Sequence, residues 1–124
     1  MTHIRLDDAR TTETPAATMR TYASPTTPVH ADVAVWRTEM AAGASGPLHT
    51  VDTDQVVVVV QGRLSAEIDG ARAQVPLGDS LVLPAGALRR LTAGEDGLVT
   101  LTASTPAATA RVGDGDPVPV PWTR

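Results

Sequence analysis

Five consecutive valines, Val56 to Val60, set the hardest constraint on how this chain can fold. β-Branched side chains favour extended backbone, and successive side chains on a strand point to opposite faces. A strand of this composition has no polar side to give to water, so both faces call for cover. One cover is the interior of the fold. The other is a second sheet, the chain's own tail or a second subunit, and a homodimer fits. Left bare, the run is an aggregation hazard. It is far too short to cross a bilayer.

The rest of the chain reads as short strands. Ten glycines and ten prolines spread over 124 residues interrupt every window in which an amphipathic helix could develop. The strands expected are Met19–Ala23, Asp32–Met40, Gln55–Gln61, Arg63–Ile68, Ala71–Val75, Ser80–Leu83, Leu88–Ala93 and Leu98–Ser104. Asp69-Gly70 carries the strongest hairpin signal, because a two-residue type I′ turn needs positive φ at both positions. Gly94 to Gly97 reads as another tight connection. Short strands with frequent turns suggest an all-β sandwich or barrel. Residues 1–17 are polar and without period and read as a loose, flexible N-terminal arm. Residues 18–104 read as the barrel, and residues 105–124 as an extended Pro-rich tail. Alternating prolines exclude that tail from a central strand, and Trp122 at its end reads as a docking anchor.

Composition narrows the function classes. A chain of 124 residues is one domain, able to bury roughly two-thirds of its unfolded surface. A net charge of −4 without a basic stripe argues against nucleic acid as a partner. No cysteine is present, which removes disulfides, thiolate chemistry and zinc fingers. The opening residues MTHIRLDDAR are acidic where an export signal needs an apolar core. The expectation is a soluble cytoplasmic protein with no membrane contact. Phenylalanine is absent and only Tyr22, Trp36 and Trp122 carry large rings. The core is therefore either tightly packed with small side chains or hollow, as in barrels that hold ligands. No serine-nucleophile elbow, phosphate loop or paired carboxylates at a telling spacing occur, and His3 and His30 form no ligand pattern.

Residues 43–89 carry a frame of spacings. Gly43, His49, Val51, Gln55 and Gly62 form a first block, and Gly78, Pro84, Gly86, Arg89 and Ala93 a second. In this the chain resembles the cupin superfamily, over roughly residues 32–104. The resemblance implies an all-β, single-domain cupin-like β-barrel, the double-stranded β-helix or jelly roll. It also implies a metal centre of three histidines and a glutamate. Every glycine and the proline fall in place, but of the four ligand positions only His49 keeps its residue. Val51 stands for the second histidine, Gln55 for the glutamate and Arg89 for the third histidine, while Ala93 replaces the closing asparagine.

One imidazole and one amide oxygen make a poor set for zinc, iron or copper. Arg89 adds a fixed positive charge, which at about 4 Å repels a divalent cation by roughly 8 kcal/mol at an effective dielectric of 20. The expectation is no metal and no cofactor, although Asp52 or Asp54 could lend oxygens to a displaced site. Of the site residues, His49 is a candidate acid, base or hydrogen-bonding group, or a leftover histidine bonded to a backbone carbonyl. Arg89 could pair a ligand carboxylate, enolate or phenolate, or reach water at the barrel mouth. Gln55 suits orienting His49 or a ligand carbonyl. Val51 and Trp36 are candidate pocket walls, and Arg90 should face outward. Three functions stand on these residues. One is a metal-independent protein that binds a small, anionic molecule, with sensory or accessory duties. A second is an isomerase or cyclase of secondary metabolism with His49 as acid/base and Arg89 as anion stabiliser. The third is a metal-dependent protein with a displaced site.

Overall fold

The computed structural model describes residues 1–124. Ten strands run in chain order: β1 (Arg10–Glu13), β2 (Thr18–Ala23), β3 (Ala34–Met40), β4 (Thr50–Val51), β5 (Gln55–Ile68), β6 (Ala71–Val75), β7 (Ser80–Leu83), β8 (Arg89–Ser104), β9 (Thr109–Arg111) and β10 (Val118–Pro119). Only two short 3₁₀ turns, Leu6–Asp8 and Pro121–Thr123, are helical. No helix is long and apolar enough to cross a membrane.

Two long antiparallel strands organise everything else. The N-terminal half of β5 pairs with residues 98–104 of β8, and its C-terminal half pairs with residues 89–93. Between these ladders, residues 94–97 of β8 stand opposite the single Arg63. Each long strand therefore serves two sheets. The first sheet runs β1-β2-β3-β8-β5 with β7 on the far side of β5. The second takes β6, the other halves of β5 and β8, and then the segment 45–51, joined through bridges Ser45–Thr92 and His49–Arg89. That segment ends in β4, which continues to β9 and β10.

The result is a jelly-roll sandwich, as the sequence implied, but not a closed barrel. β1, β6 and β10 end their sheets without a further partner, so the layers face each other openly at the ends. The strands expected as Gln55–Gln61 and Arg63–Ile68 are one strand, and so are Leu88–Ala93 and Leu98–Ser104. Gly94 to Gly97 is accordingly a bulge inside β8 and not a connection between strands. Asp69 and Gly70 form the expected turn, with φ of 49° and 82°.

Both chain ends depart from expectation. Residues 10–13 lie in the stretch read as a loose arm, yet they pair along β2 from Arg10–Thr21 to Glu13–Thr18. Polar side chains suit them because β1 is an edge strand with an exposed face. The tail is not simply extended either. β9 and β10 add to β4, and Ala108, Val120 and Thr123 are buried. Its prolines are accommodated because β10 is an edge strand. Trp122 packs against the Met19–Ala34–Trp36 and Val51–Ala108–Val120 clusters, as an anchor should. The Thr21 hydroxyl donates to its carbonyl at 3.0 Å.

Core and surface divide the valine run. Val57 and Val59 join Leu64, Leu83 and Leu98 in the main core, where each buried side chain contributes about 1.5–3 kcal/mol. Val56 and Val60 point outward and are 43% and 37% exposed. Val56 lies beside Ala103 and Val82, and Ala103 beside Val35, so an apolar row crosses four strands on the outer face. Neither a second sheet nor the tail covers it.

The bend in the long strands depends on Gly62. Its φ is +77°, and a Cβ there would lie 2.1 Å from the Gly97 carbonyl oxygen. Backbone on both sides of that contact cannot yield cheaply. Gly62→Ala is expected to cost more than about 3 kcal/mol. Gly70→Ala, at a φ of +82° with open space around it, should cost only about 1–2 kcal/mol. Urea midpoints of the two variants check this; equal losses would contradict the packing argument.

Candidate functional site

Side chains that alternate inward along β3, β5 and β8 meet those of β2, the segment 45–51 and the tail around one cavity of about 710 Å³. The hollow reading of the aromatic-poor composition is the correct one. Trp36, Val51, Val57 and Leu98 are buried along its wall. Exposed prolines, Pro15, Pro47, Pro119 and Pro121, lie where it opens. Proline carries no backbone N–H, so this part of the rim offers few donors.

All five residues singled out from sequence, Trp36, His49, Val51, Gln55 and Arg89, line this single cavity. Topology explains the convergence. His49 and Arg89 are cross-strand neighbours, each accepting the other's backbone N–H at 2.9 Å. Gln55 opens β5 in the first sheet, while Arg89 opens β8 in the second. The Arg89 Nη2 donates to Gln55 Oε1 at 2.9 Å and so ties the two layers together.

Arg89 is the unusual group. It is 2% exposed, so the water-facing alternative at a barrel mouth does not hold. Its Nε and Nη1 have no hydrogen-bond partner, and no carboxylate pairs with it. Burial pulls its pKa down to about 10, which leaves it charged at neutral pH. His49 and Arg89 are the only ionisable side chains lining the cavity. The interior therefore carries a positive charge with no acid to balance it. Leaving a buried donor unpaired costs about 1–3 kcal/mol, and more for a charged group.

His49 is half-buried, and its Nδ1 lies 2.7 Å from the Pro47 carbonyl oxygen. A carbonyl only accepts, so Nδ1 carries the proton and Nε2 keeps its lone pair. Burial lowers the His49 pKa. The Pro47 bond opposes that shift and the nearby Arg89 charge adds to it. The neutral imidazole is thus the resting form at neutral pH. Gln55 does not orient His49; its carbonyl oxygen serves Arg89.

The donor set does not fit the four-ligand metal centre of the resemblance. Three of the positions hold Val51, Gln55 and Arg89, and the Gln55 oxygen is already an acceptor for Arg89. Asp52 and Asp54 do not lend oxygens. Asp52 accepts from the Thr109 backbone N–H and hydroxyl at 2.8 and 2.9 Å. Asp54 accepts from the Ala85 N–H at 2.7 Å. No three His, Cys, Asp or Glu side chains converge anywhere in the chain. Arg90 faces outward, as expected, with Glu67 at 3.9 Å.

Sequence reasoning missed Met19, Thr100, Thr102, Val120 and Trp122 as cavity walls. Thr100 and Thr102 could have been found by counting inward from Leu98 at alternate positions. The tail residues left no local signal.

A stability pair checks the charge argument. Arg89→Met removes an uncompensated cation and should leave the urea midpoint unchanged or higher, by up to about 3 kcal/mol. Gln55→Leu strips the cation of its last partner and should cost about 1–3 kcal/mol or more. A loss of several kcal/mol in Arg89→Met would show that the guanidinium is a structural tie.

A sequence profile of the Cupin domain matches residues 36–104. No curated protein matches the chain in sequence. Among solved structures, KdgF from a Halomonas species is 22% identical, with a TM-score of 0.71 over 86% of this chain and 94% of that one. A cupin-superfamily sugar phosphate isomerase from Silicibacter pomeroyi is 20% identical, with a TM-score of 0.72 over 93% and 83%. The polyketide cyclase RemF from Streptomyces resistomycificus is 19% identical, with a TM-score of 0.72 over 85% and 79%. At such identities the likeness concerns the fold alone. With the profile spanning more than half of its length and the jelly roll in place, the chain belongs to the cupin family.

Proposed function

We propose that this protein is a metal-independent cupin that binds a small, largely apolar anion in the cavity around His49, Gln55 and Arg89. The observation that carries the reading is Arg89, whose Nε and Nη1 are buried and unpartnered beside a cavity lined by no acid. A ligand carboxylate, phenolate or enolate supplies what the protein omits, a charged acceptor for those donors. Apolar walls such as Trp36, Val57 and Leu98 take the rest of the molecule. The volume of about 710 Å³ falls within the range of small-molecule sites.

Thermal melting tests it. Benzoate, salicylate and cinnamate should raise the melting temperature, while benzamide should not. At a hundredfold excess over Kd, binding to the native state stabilises it by about 2.7 kcal/mol, equivalent to roughly 10 °C for a domain of this size. Arg89→Met should abolish the response. No shift with any anion, or an undiminished shift in Arg89→Met, would refute the reading.

A second observation concerns assembly. The outer row Val82, Val56, Ala103 and Val35, with Val58 and Leu101 beside it, lacks cover from this chain. Four strands about 4.8 Å apart and five residues long span roughly 300 Å², the size of the largest apolar patch on an ordinary monomer, which is often functional. The occupant that fits is a second copy. A sheet face is flat and self-complementary about a two-fold axis, and the charges at its end, Arg20, Arg37 and Glu39, already pair with one another. Light scattering at micromolar concentration should give a dimer mass, and Val56→Lys with Val82→Lys should give a folded monomer. A monomeric wild type would refute this.

A further inference from the structure

The binding reading uses Arg89 but leaves His49 idle, although the site prepares its Nε2 with some care. The Pro47 carbonyl fixes the proton on Nδ1, and the direct cross-strand pairing places the imidazole beside Arg89. Directly opposed residues have Cβ atoms about 4.5–5.5 Å apart. One small molecule can therefore touch both side chains. A basic nitrogen without a proton thus lies next to a cation whose Nε and Nη1 are buried and unpartnered, and both residues line a largely apolar cavity. An electrophilic anchor beside a base is the pairing needed to ionise a C–H bond next to a carbonyl.

We propose that His49 and Arg89 enolise a carbonyl compound held in this cavity, an inference that rests on the anion-binding reading. His49 Nε2 takes a proton from the carbon adjacent to the carbonyl. The C–H bond breaks, its electron pair forms the C=C bond of the enolate, and the carbonyl π pair moves to oxygen. That oxygen, now negative, is hydrogen-bonded by the Arg89 guanidinium, which turns toward it. The imidazolium then returns its proton to the same carbon, to another carbon of the conjugated system or to the oxygen. Atoms and charge balance without oxidant, reductant or metal. The positive charge that His49 gains is offset by the enolate, so the cavity keeps its net charge throughout.

Phenylpyruvate is the probe, since it offers a carboxylate for Arg89, acidic benzylic hydrogens and an apolar ring. In D₂O the wild type should exchange the benzylic hydrogens, followed by proton NMR, well above the rate in buffer with free imidazole. His49→Gln should lose about a hundredfold or more, in line with the contribution of a general base, yet keep the melting shift given by phenylpyruvate. Arg89→Met should lose both. The exchange rate should rise with pH through an inflection below the ordinary histidine value, because burial and the neighbouring Arg89 favour neutral His49. No other ionisable side chain lines the cavity to produce that inflection; Arg111, opposite Thr50 on the adjacent strand, is exposed and outside it. Binding by the wild type without accelerated exchange would overturn the inference while leaving the binding reading intact. So would unchanged exchange in His49→Gln. Absence of any melting shift with phenylpyruvate and the other anions would overturn both.

Discussion

The pairing of β5 with β8 is the interaction on which this molecule depends. Because each strand is long and bends where Gly62 meets the Gly97 carbonyl, one ladder supplies the spine of two facing sheets. That geometry separates the layers in the middle and sets the cavity between them. It also explains why Gln55, at the start of β5, reaches Arg89, at the start of β8. The two residues sit at opposite ends of the shared ladder, and their single hydrogen bond spans the sandwich. Gln55 pairs with Ser104 and Arg89 with Ile68, so neither meets the other along the sheet.

A buried cation in an acid-free cavity stands against the usual economy of protein interiors. Ionised groups are ordinarily paired when buried, because leaving one unpaired costs several kcal/mol. Natural sequences depart from local consistency mainly at functional sites. Two of the three buried side-chain polar atoms without a partner are the Nε and Nη1 of Arg89, and the third is the neutral Thr53 hydroxyl. Charged groups elsewhere are better served. Asp52, Asp54 and Asp69 each accept a backbone N–H, and Glu39 is held between Arg20 and Arg37. The contrast supports reading the deficit as an invitation to a ligand.

Much of this was legible in the sequence, and for definable reasons. Motif glycines need positive φ at fixed places, and Gly43, Gly62, Gly78 and Gly86 all adopt it, so the frame survives the loss of the metal ligands. His49, Val51, Gln55 and Arg89 were legible as a group because the frame fixes their places on adjacent and facing strands. Strand ends were less so. The bulge at residues 94–97 carries two glycines and two acids, a composition that also describes a turn. β1 went unseen because Arg10 to Glu13 have no apolar alternation, being an edge strand with little to bury. The tail was read as separate because Pro117, Pro119 and Pro121 signal extended chain without saying where it docks. Only three-dimensional closure brings Val120 and Trp122 against Val51 and Trp36. The valines were half legible: Val57 and Val59 are core, whereas Val56 and Val60 point outward and this chain leaves them exposed.

The central claim is that Arg89 waits, charged and unpaired, for an anion. The most direct test is the ¹⁵N–¹H NMR signal of its Nε, assigned by its loss in Arg89→Met. In the free protein the account predicts a signal outside the range of carboxylate-paired guanidinium groups. It should move well downfield on saturation with benzoate and stay put with benzamide. A signal already at the paired position without ligand, or one that does not move at saturation, would contradict the account.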